Sequence, residues 1–460
     1  MNMINVRRLT VMTFLGAGML SGISAQVSPL QVDTLKETKI PAQWDLQSCI
    51  DYAKEQNITI RITAVSTQID VKTAKAAMFP SLSFSTGQQV VNRPYQETSS
   101  RVSGSEIISS NSKTSYNGNY GLNASWTLYN GNKRLKTIQQ EKLNNQMAEL
   151  DVATSENNIQ ESITQVYIQI LYAAESVNEN TLQVSIAQRD RGQELLNAGS
   201  IAKSDLAQLE AQVSTDRYQL VTAQATLEDY KLQLKQLLEL DGENEMNIYL
   251  PALSDENVLA PLPTKRDVYI SALSLRPEIE ASKLNVEASE LGINIAKSSY
   301  FPTISLSAGI GTNHTSGSDF TFGEQVKNGW NNSIGLSVSV PIFNNRQTKS
   351  AVQKAKLQYE TSMLSLLDEQ KALYKTIESL WLDANSAQQR YAAANEKLKS
   401  TQISYELISE QFNLGMKNTV ELLTEKNNLL QAQQEQLQAK YMAILNTQLL
   451  KFYQGDQLAL

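Results

Sequence analysis

From Tyr116 onward, apolar and aromatic residues take alternate positions: Tyr116, Tyr120, Leu122, Ala124, Trp126 and Leu128, with Gly118 in the same series. Between them stand Asn117, Asn119, Asn123, Ser125 and Thr127. The pattern recurs at Ile334, Leu336, Val338, Val340 and Ile342, interleaved with Ser333, Gly335, Ser337 and Ser339. Ile304, Leu306, Ala308 and Ile310 repeat it, and Leu82 and Phe84 begin a weaker fourth case. Period-two alternation predicts strands with one apolar face and one small polar face. Strands of soluble sheets usually run about five or six residues. Longer runs with a Ser/Asn/Gly face fit a transmembrane barrel better. The polar segments 92–115 and 312–331 read as solvated outer loops. Four strands cannot close a barrel, which needs about eight, and lipid does not tolerate an open sheet edge. The barrel is therefore expected to be shared between chains. Two chains would give eight strands and three would give twelve, and this arithmetic does not choose.

Elsewhere the periodicity is helical. Residues 134–198 and 346–413 hold no proline, and helices of 65 and 68 residues would span roughly 97 and 102 Å at about 1.5 Å per residue. After Gly199, positions Leu206, Leu209, Val213, Asp216, Leu220, Ala223, Leu227, Tyr230, Leu234 and Leu237 follow three-four spacing. That is a heptad seam with one polar interruption, read as plain coiled-coil packing. Leu423, Leu430, Leu437 and Ile444 form a matching seam, diluted by Asn427 and Gln434. Segments 46–78 and 205–240 together match the first long helix in length, and 266–300 with 419–453 match the second. The short helices are therefore expected to stack end to end beside the long ones.

The chain also reads as a duplication. Phe79-Pro80-Ser81-Leu82-Ser83 aligns with Phe301-Pro302-Thr303-Ile304-Ser305. Leu128-Tyr129-Asn130-Gly131 aligns with Ile342-Phe343-Asn344-Asn345, and Glu194 to Gly199 aligns with Glu410 to Gly415. The ordered matches predict a first repeat over 26–240, a proline-bearing linker or equatorial segment over 241–264, and a second repeat over 265–460. Each repeat runs helix, two strands, long helix, turn, helix.

Composition narrows the chemistry. Forty basic against 47 acidic residues leave no electrostatic footprint for nucleic acid. One cysteine, Cys49, and one histidine, His314, exclude an internal disulfide framework and a Cys/His zinc site. Arg7 and Arg8, an apolar stretch over 9–20 and Ile23-Ser24-Ala25 predict a secretory signal peptide over 1–25. The apolar stretch falls short of the ~20 residues a spanning helix needs. The Arg7-Arg8 pair alone is a weak twin-arginine signal, and no cysteine at the cleavage point suggests a lipid anchor.

The ordered set resembles the TolC-like outer-membrane efflux family, also called outer membrane factors. Its carriers are the two Phe-Pro strand entries, the Tyr129-Asn130-Gly131 and Phe343-Asn344-Asn345 turns, and the hairpin Phe412 to Leu423. The resemblance implies an α+β membrane protein built from two tandem repeats. A shared transmembrane β-barrel, four strands per chain, would continue into a long α-helical coiled-coil tunnel. It further implies a homotrimer in the outer membrane with its helices in the periplasm, served by a periplasmic adaptor protein and an inner-membrane transporter. In such ducts acidic residues after the second hairpin glycine narrow the periplasmic mouth. Glu421 falls on the first such position, and Thr424 stands where a second acid is often found. Three Glu421 side chains around one axis would repel and raise their pKa. Alternatively, Glu421 is one more solvated charge complementing a helix dipole. The hairpin ends are the family's adaptor-docking surface, which marks Asn197, Gly199, Ser200, Ile201, Asn413, Gly415, Met416 and Lys417.

Other patterns carry less. Gly309-Ile310-Gly311 lacks a following helix and is no nucleotide fingerprint. His314 is expected to be solvated in an external loop. Trp126, Tyr129, Trp330 and Phe343 flank the strands as candidates for interfacial belts. No residue set compels catalysis, and no cofactor is expected. The function these features imply is a passive exit duct of a tripartite efflux system. The competing reading is a secreted coiled-coil structural or adhesive protein.

Overall fold

The computed structural model describes residues 41–65, 69–95, 99–103, 106–110, 114–177, 179–241, 246–251, 258–316 and 320–458. The expected signal peptide lies outside the described residues, as do parts of the linker and of both polar loops. Everything below belongs to one unit that begins at Gln43.

All four alternating segments are strands: β1 (Ser81–Asn92), β4 (Thr114–Asn130), β5 (Thr303–Thr315) and β6 (Asn331–Ser339). They form one antiparallel sheet in the order β1-β4-β5-β6. Directly paired residues share a face, so the register decides what each face holds. Leu82, Ala124, Ala308 and Ile334 form one row, and Trp126, Leu306 and Leu336 the next. Ser83, Asn123, Gly309 and Ser333 form a row on the other face, beside Ser81, Ser125, Ser307 and Gly335. The alternation thus survives across four strands as one apolar and one small polar face. Neither face is a soluble core: Leu82 is 70% exposed and Ile334 83%.

Two expectations about strand ends change. β6 stops at Ser339, so Val340 and Ile342 lie beyond it; Pro341 has no N–H for the ladder and fixes its own φ. The segment 92–115 is not a plain loop: it carries a separate antiparallel pair, β2 (Ser99–Ser103) and β3 (Glu106–Ser110). Nor is 312–331. Thr312 to Thr315 belong to β5, and Phe322–Asn328 is a helix, α9. Thr321 caps α9 and Thr312 Oγ1 donates to Val326 O at 2.7 Å, holding it to β5. His314 therefore sits in β5, not in a solvated loop. Its ring stacks on Tyr120 and meets Tyr116 and Phe322.

The remaining helices are α1 (Leu46–Gln56), α2 (Ile58–Val65), α3 (Ile69–Ala76), α4 (Lys133–Ser176), α5 (Glu179–Asn197) and α6 (Lys203–Leu237). After them come α7 (Lys265–Leu275), α8 (Pro277–Lys297), α10 (Gln347–Asn413) and α11 (Thr419–Gln454). The 67 residues of α10 are unbroken and span about 100 Å. Its counterpart breaks at Val177, where ψ is 89°. The local Ser176-Val177-Asn178-Glu179-Asn180 run is poor in helix formers. The helices ahead of the strands break too. Asn57 ends α1, and its Oδ1 accepts from Thr59 and Ile60 N–H to start α2. Arg276 ends α7 because Pro277 begins α8 at its first position.

The end-to-end stacking is shifted by these breaks: α6 and α11 finish at the α1/α2 and α7/α8 junctions, so α2 and α8 lie beyond their ends while α1 and α7 pack beside them. Asn57 Nδ2 donates to Leu237 O at 3.1 Å, where α6 finishes. Arg276 stacks 3.6 Å from the Tyr453 ring and pairs with Glu161 at 3.1 Å, tying the end of α11 to the α7/α8 junction and to α4. Burial raises the Glu161 carboxyl, and Arg276 only partly offsets it. The main core lies at mid-height, where Trp44, Cys49 and Ile50 meet Tyr167, Leu171, Leu234, Tyr391 and Ile444. The linker is part of that core. Trp44 N donates to Asn247 O and Tyr249 N to Trp44 O, both at 2.8 Å. Gln388 Nε2 reaches Val258 O and Ala260 O. Cys49 is fully buried, which pushes its thiol up to about 12.

Candidate functional site

The two helical hairpins turn in the same way. At the first, Gly199 takes φ +78°; its N–H donates to Leu196 O, and Ser200 N–H donates to Leu195 O. At the second, Gly415 takes φ +76°; its N–H donates to Phe412 O, and Met416 N–H to Gln411 O. Both are Schellman motifs, which need a left-handed residue that glycine supplies cheaply. A side chain at either glycine would meet nothing within 4 Å, so the backbone angle alone demands glycine.

The returning helices start differently. Asn418 Oδ1 accepts from Glu421 N–H at 2.9 Å, and Glu421 Oε2 accepts from Asn418 N–H at 3.2 Å, a complete capping box. Lys417 Nζ holds the other Glu421 oxygen at 2.5 Å. These contacts, Lys417 first and the Asn418 N–H second, hold the Glu421 carboxyl below its ordinary value. Within one protomer the shift is thus opposite to the one like-charge crowding would produce. On α6, Asp205 accepts from Ala202 N–H at 3.0 Å, but Ala202 has no side-chain oxygen to cap the helix, and only its carbonyl accepts from Asp205 N–H, at 3.0 Å. Thr424 Oγ1 donates to Val420 O in its own helix.

Four helices converge behind these ends. Leu209, Phe412 and Leu422 are buried together, with Leu195, Tyr405 and Leu423 against them. Gln188 Nε2 donates to Tyr405 OH at 2.8 Å, and Arg191 NH2 to Asn413 O at 3.3 Å. Asn413 is thereby brought to the first hairpin. Asn197 stays exposed, its Oδ1 accepting only from Gln193 on its own helix. Ser200 and Met416 are also at the surface, and Ile201 leans toward Gly192.

Deeper in the bundle lies a buried polar cluster. Lys426 Nζ sits 2.6 Å from Asp216 Oδ2, both residues are 3% exposed, and Ser185 Oγ bonds to each. Asp216 is the polar interruption of the α6 seam. Lys426, its partner from α11, was not legible in the heptad pattern. The buried face of α11 runs through Leu422, Lys426 and Leu429, one position off the Leu423 and Leu430 seam that spacing suggested. A lysine between two buried leucines at i−4 and i+3 was the available signal.

No group of His, Cys, Asp and Glu among the described residues could hold a metal ion. No described helix is long and apolar enough to cross a membrane.

The family described as outer membrane efflux protein matches residues 59–239 and 268–455. The chain is 26% identical over 252 residues to outer membrane efflux protein BepC of Brucella suis biovar 1, covering 54% of this chain and 52% of that protein. It is 24% identical over 291 residues to outer membrane protein TolC of Escherichia coli K12, covering 61% and 58%. These matches span between half and three fifths of the relatives' own lengths. Among solved structures, CusC superposes with a TM-score of 0.74 at 18% identity, over 92% of this chain and 96% of that one. VceC of Vibrio cholerae gives 0.71 at 16%, over 90% and 97%. With the family matched across most of both halves and its fold shared with solved outer-membrane channels, the chain belongs to the outer membrane efflux protein family.

Proposed function

We propose that the chain is the outer-membrane exit duct of a tripartite efflux system, conducting substrates passively and performing no catalysis of its own. The observation that carries this is the sheet. It has one apolar and one small polar face, and among the described residues β1 and β6 each leave an edge unpaired. Such an apolar face costs heavily in water and nothing in lipid. Open edges are tolerated in neither the membrane nor a stable oligomer, so strands of other copies must close them. Three copies give a twelve-stranded barrel, the assembly the family resemblance favours over two. The apolar stripe Leu357, Leu364, Leu367 and Leu382 on α10, exposed within one chain, supports packing of a second protomer along the rod.

In this reading two tandem repeats, 26–240 and 265–460, each supply two strands and a hairpin, and the identical Schellman turns support the duplication. The segment over 1–25 is the export signal. The polar face lines the lumen, the apolar face meets outer-membrane lipid, and the rods form a periplasmic tunnel. The hairpin ends, with Asn197, Gly199, Ser200, Ile201, Asn413, Gly415, Met416 and Lys417, are the docking surface for a periplasmic adaptor, behind which stands an inner-membrane transporter. Glu421 is the acidic ring of the mouth, with Thr424 one turn deeper. The test is extraction of the full-length protein from the outer-membrane fraction. A detergent-requiring three-chain oligomer supports the duct; a water-soluble elongated oligomer contradicts it.

A further inference from the structure

We infer that the barrel section has an electrically neutral bore, so that the exit does not discriminate its cargo by charge. The inference rests on the exit-duct reading and deepens it to the cargo that the exit admits. Charged residues are 19% of the chain, yet none of the residues in β1, β4, β5 or β6 is Asp, Glu, Lys or Arg. On the apolar face this is expected, because a charge facing lipid is costly. On the polar face no such cost applies: a water-filled lumen tolerates charge, and pores commonly use rings of it to choose ions. Here that face is hydroxyl, amide and glycine apart from Val91 near the outer end of β1, as in the row Ser83, Asn123, Gly309, Ser333.

The lining is also drawn back into the wall. Ser81 Oγ donates to Ser125 O at 3.2 Å and Ser307 Oγ to Gly335 O at 3.3 Å, across neighbouring strands. These hydroxyls spend their protons on the sheet and project little. The one histidine does not break the rule, since His314 pairs with Gly118 on the opposite face. The lumen face therefore offers neither fixed charge nor carboxylate, imidazole or thiolate ligands for a metal-ion relay. Charge resumes near the strand ends, at Arg93 directly after β1 on one side and at Lys133, Arg134 and Arg346 three to seven residues past the strands on the other. Arg134 reaches back to the Thr127 carbonyl of β4, so the neutral zone ends at that row.

The test uses cysteine accessibility in full-length protein inserted in membrane. Native Cys49 is fully buried and its thiol is pushed up to about 12, so background labelling is low. Ser307→Cys is reacted with a cationic and an anionic methanethiosulfonate, each rate divided by that reagent's rate with a free thiol. The two normalised rates are expected to agree within about threefold, below the roughly tenfold bias a charged cleft imposes. Adding Ser125→Asp, whose position pairs with Ser307, is expected to create a cation preference of about tenfold. A tenfold bias in Ser307→Cys alone, or an unchanged ratio after adding Ser125→Asp, overturns the neutral bore. Leu306→Cys is expected to stay unreactive. If it reacts as fast as Ser307→Cys, the lipid-and-lumen assignment of the faces fails, and the duct reading fails with it.

Discussion

Asp216 and Lys426 stand 210 residues apart in the chain and 2.6 Å apart in the fold, both nearly excluded from solvent. The pair joins α6 of the first hairpin to α11 of the second. Its counterparts under the hairpin alignment are Ala432 and Glu210, so the duplication does not repeat it. The link belongs to the seam between the two hairpins of one chain, alongside the Leu209, Phe412 and Leu422 cluster. A buried ion pair is weak evidence of net stability, but breaking one is costly, because the remaining charge has nowhere to go.

Lys426→Ala and Asp216→Ala are each expected to lower stability by about 3–5 kcal/mol. Asp216→Leu combined with Lys426→Met is expected to recover most of that loss, since apolar replacement removes both buried charges. Denaturant unfolding of the purified oligomer measures this. Single variants as stable as wild type would mean the pair is not buried as described.

The Glu421 carboxyl is held below its ordinary value of 4.5, first by Lys417 and then by the Asn418 N–H. A depressed acid adds stability above its unfolded pKa, and that stability is lost as pH falls through the lower folded value. The hydrogen-exchange protection factor at the start of α11, in which the intrinsic pH dependence is divided out, is therefore expected to hold through neutral and mildly acidic pH and to fall only below the usual carboxylate range. Lys417→Ala is expected to move that onset up toward 4.5. An unmoved onset would mean Lys417 does not hold Glu421.

Glu421→Ala is expected to raise conductance of the resting duct and to reduce its cation preference, by up to about tenfold for a full ring. Planar-bilayer recordings with a salt gradient read both. Unchanged conductance and selectivity would remove Glu421 from the mouth.

Three glycines separate backbone angle from packing. Gly199→Ala and Gly415→Ala meet open space and are expected to cost only the left-handed penalty of about 1–2 kcal/mol each. Gly455 has φ +105°, and a Cβ there would approach Leu275 Cδ1 at 2.5 Å. Gly455→Ala is therefore expected to lower the thermal midpoint more than either hairpin variant. Equal losses would show that the Leu275 contact yields freely.

The strands were legible because alternation is local: each residue's face is fixed by its neighbours, so the shared face of Leu82, Ala124, Ala308 and Ile334 follows from it, whereas their register does not, since a two-residue slip keeps every face. Helix length was legible for the long rods but not for the returning ones. Asn57 and Arg276 interrupt segments 46–78 and 266–300 where α6 and α11 end, so the summed lengths wrongly included α1 and α7, which pack beside those ends. Pro277 signalled one break; Val177 gave only a weak propensity cue. The Asp216 partner was out of reach because no local pattern pairs α6 with α11. The polarity of His314 suggested a loop, whereas Tyr116, Tyr120 and Phe322 pack around its half-buried ring on the strand.

The central claim is that copies of this chain close one membrane-spanning duct, and single-channel recording of the detergent-extracted oligomer in a planar bilayer tests it most directly. The account predicts discrete, long-lived conductance steps from a three-chain species. An oligomer that stays in solution without detergent and never carries current would contradict it.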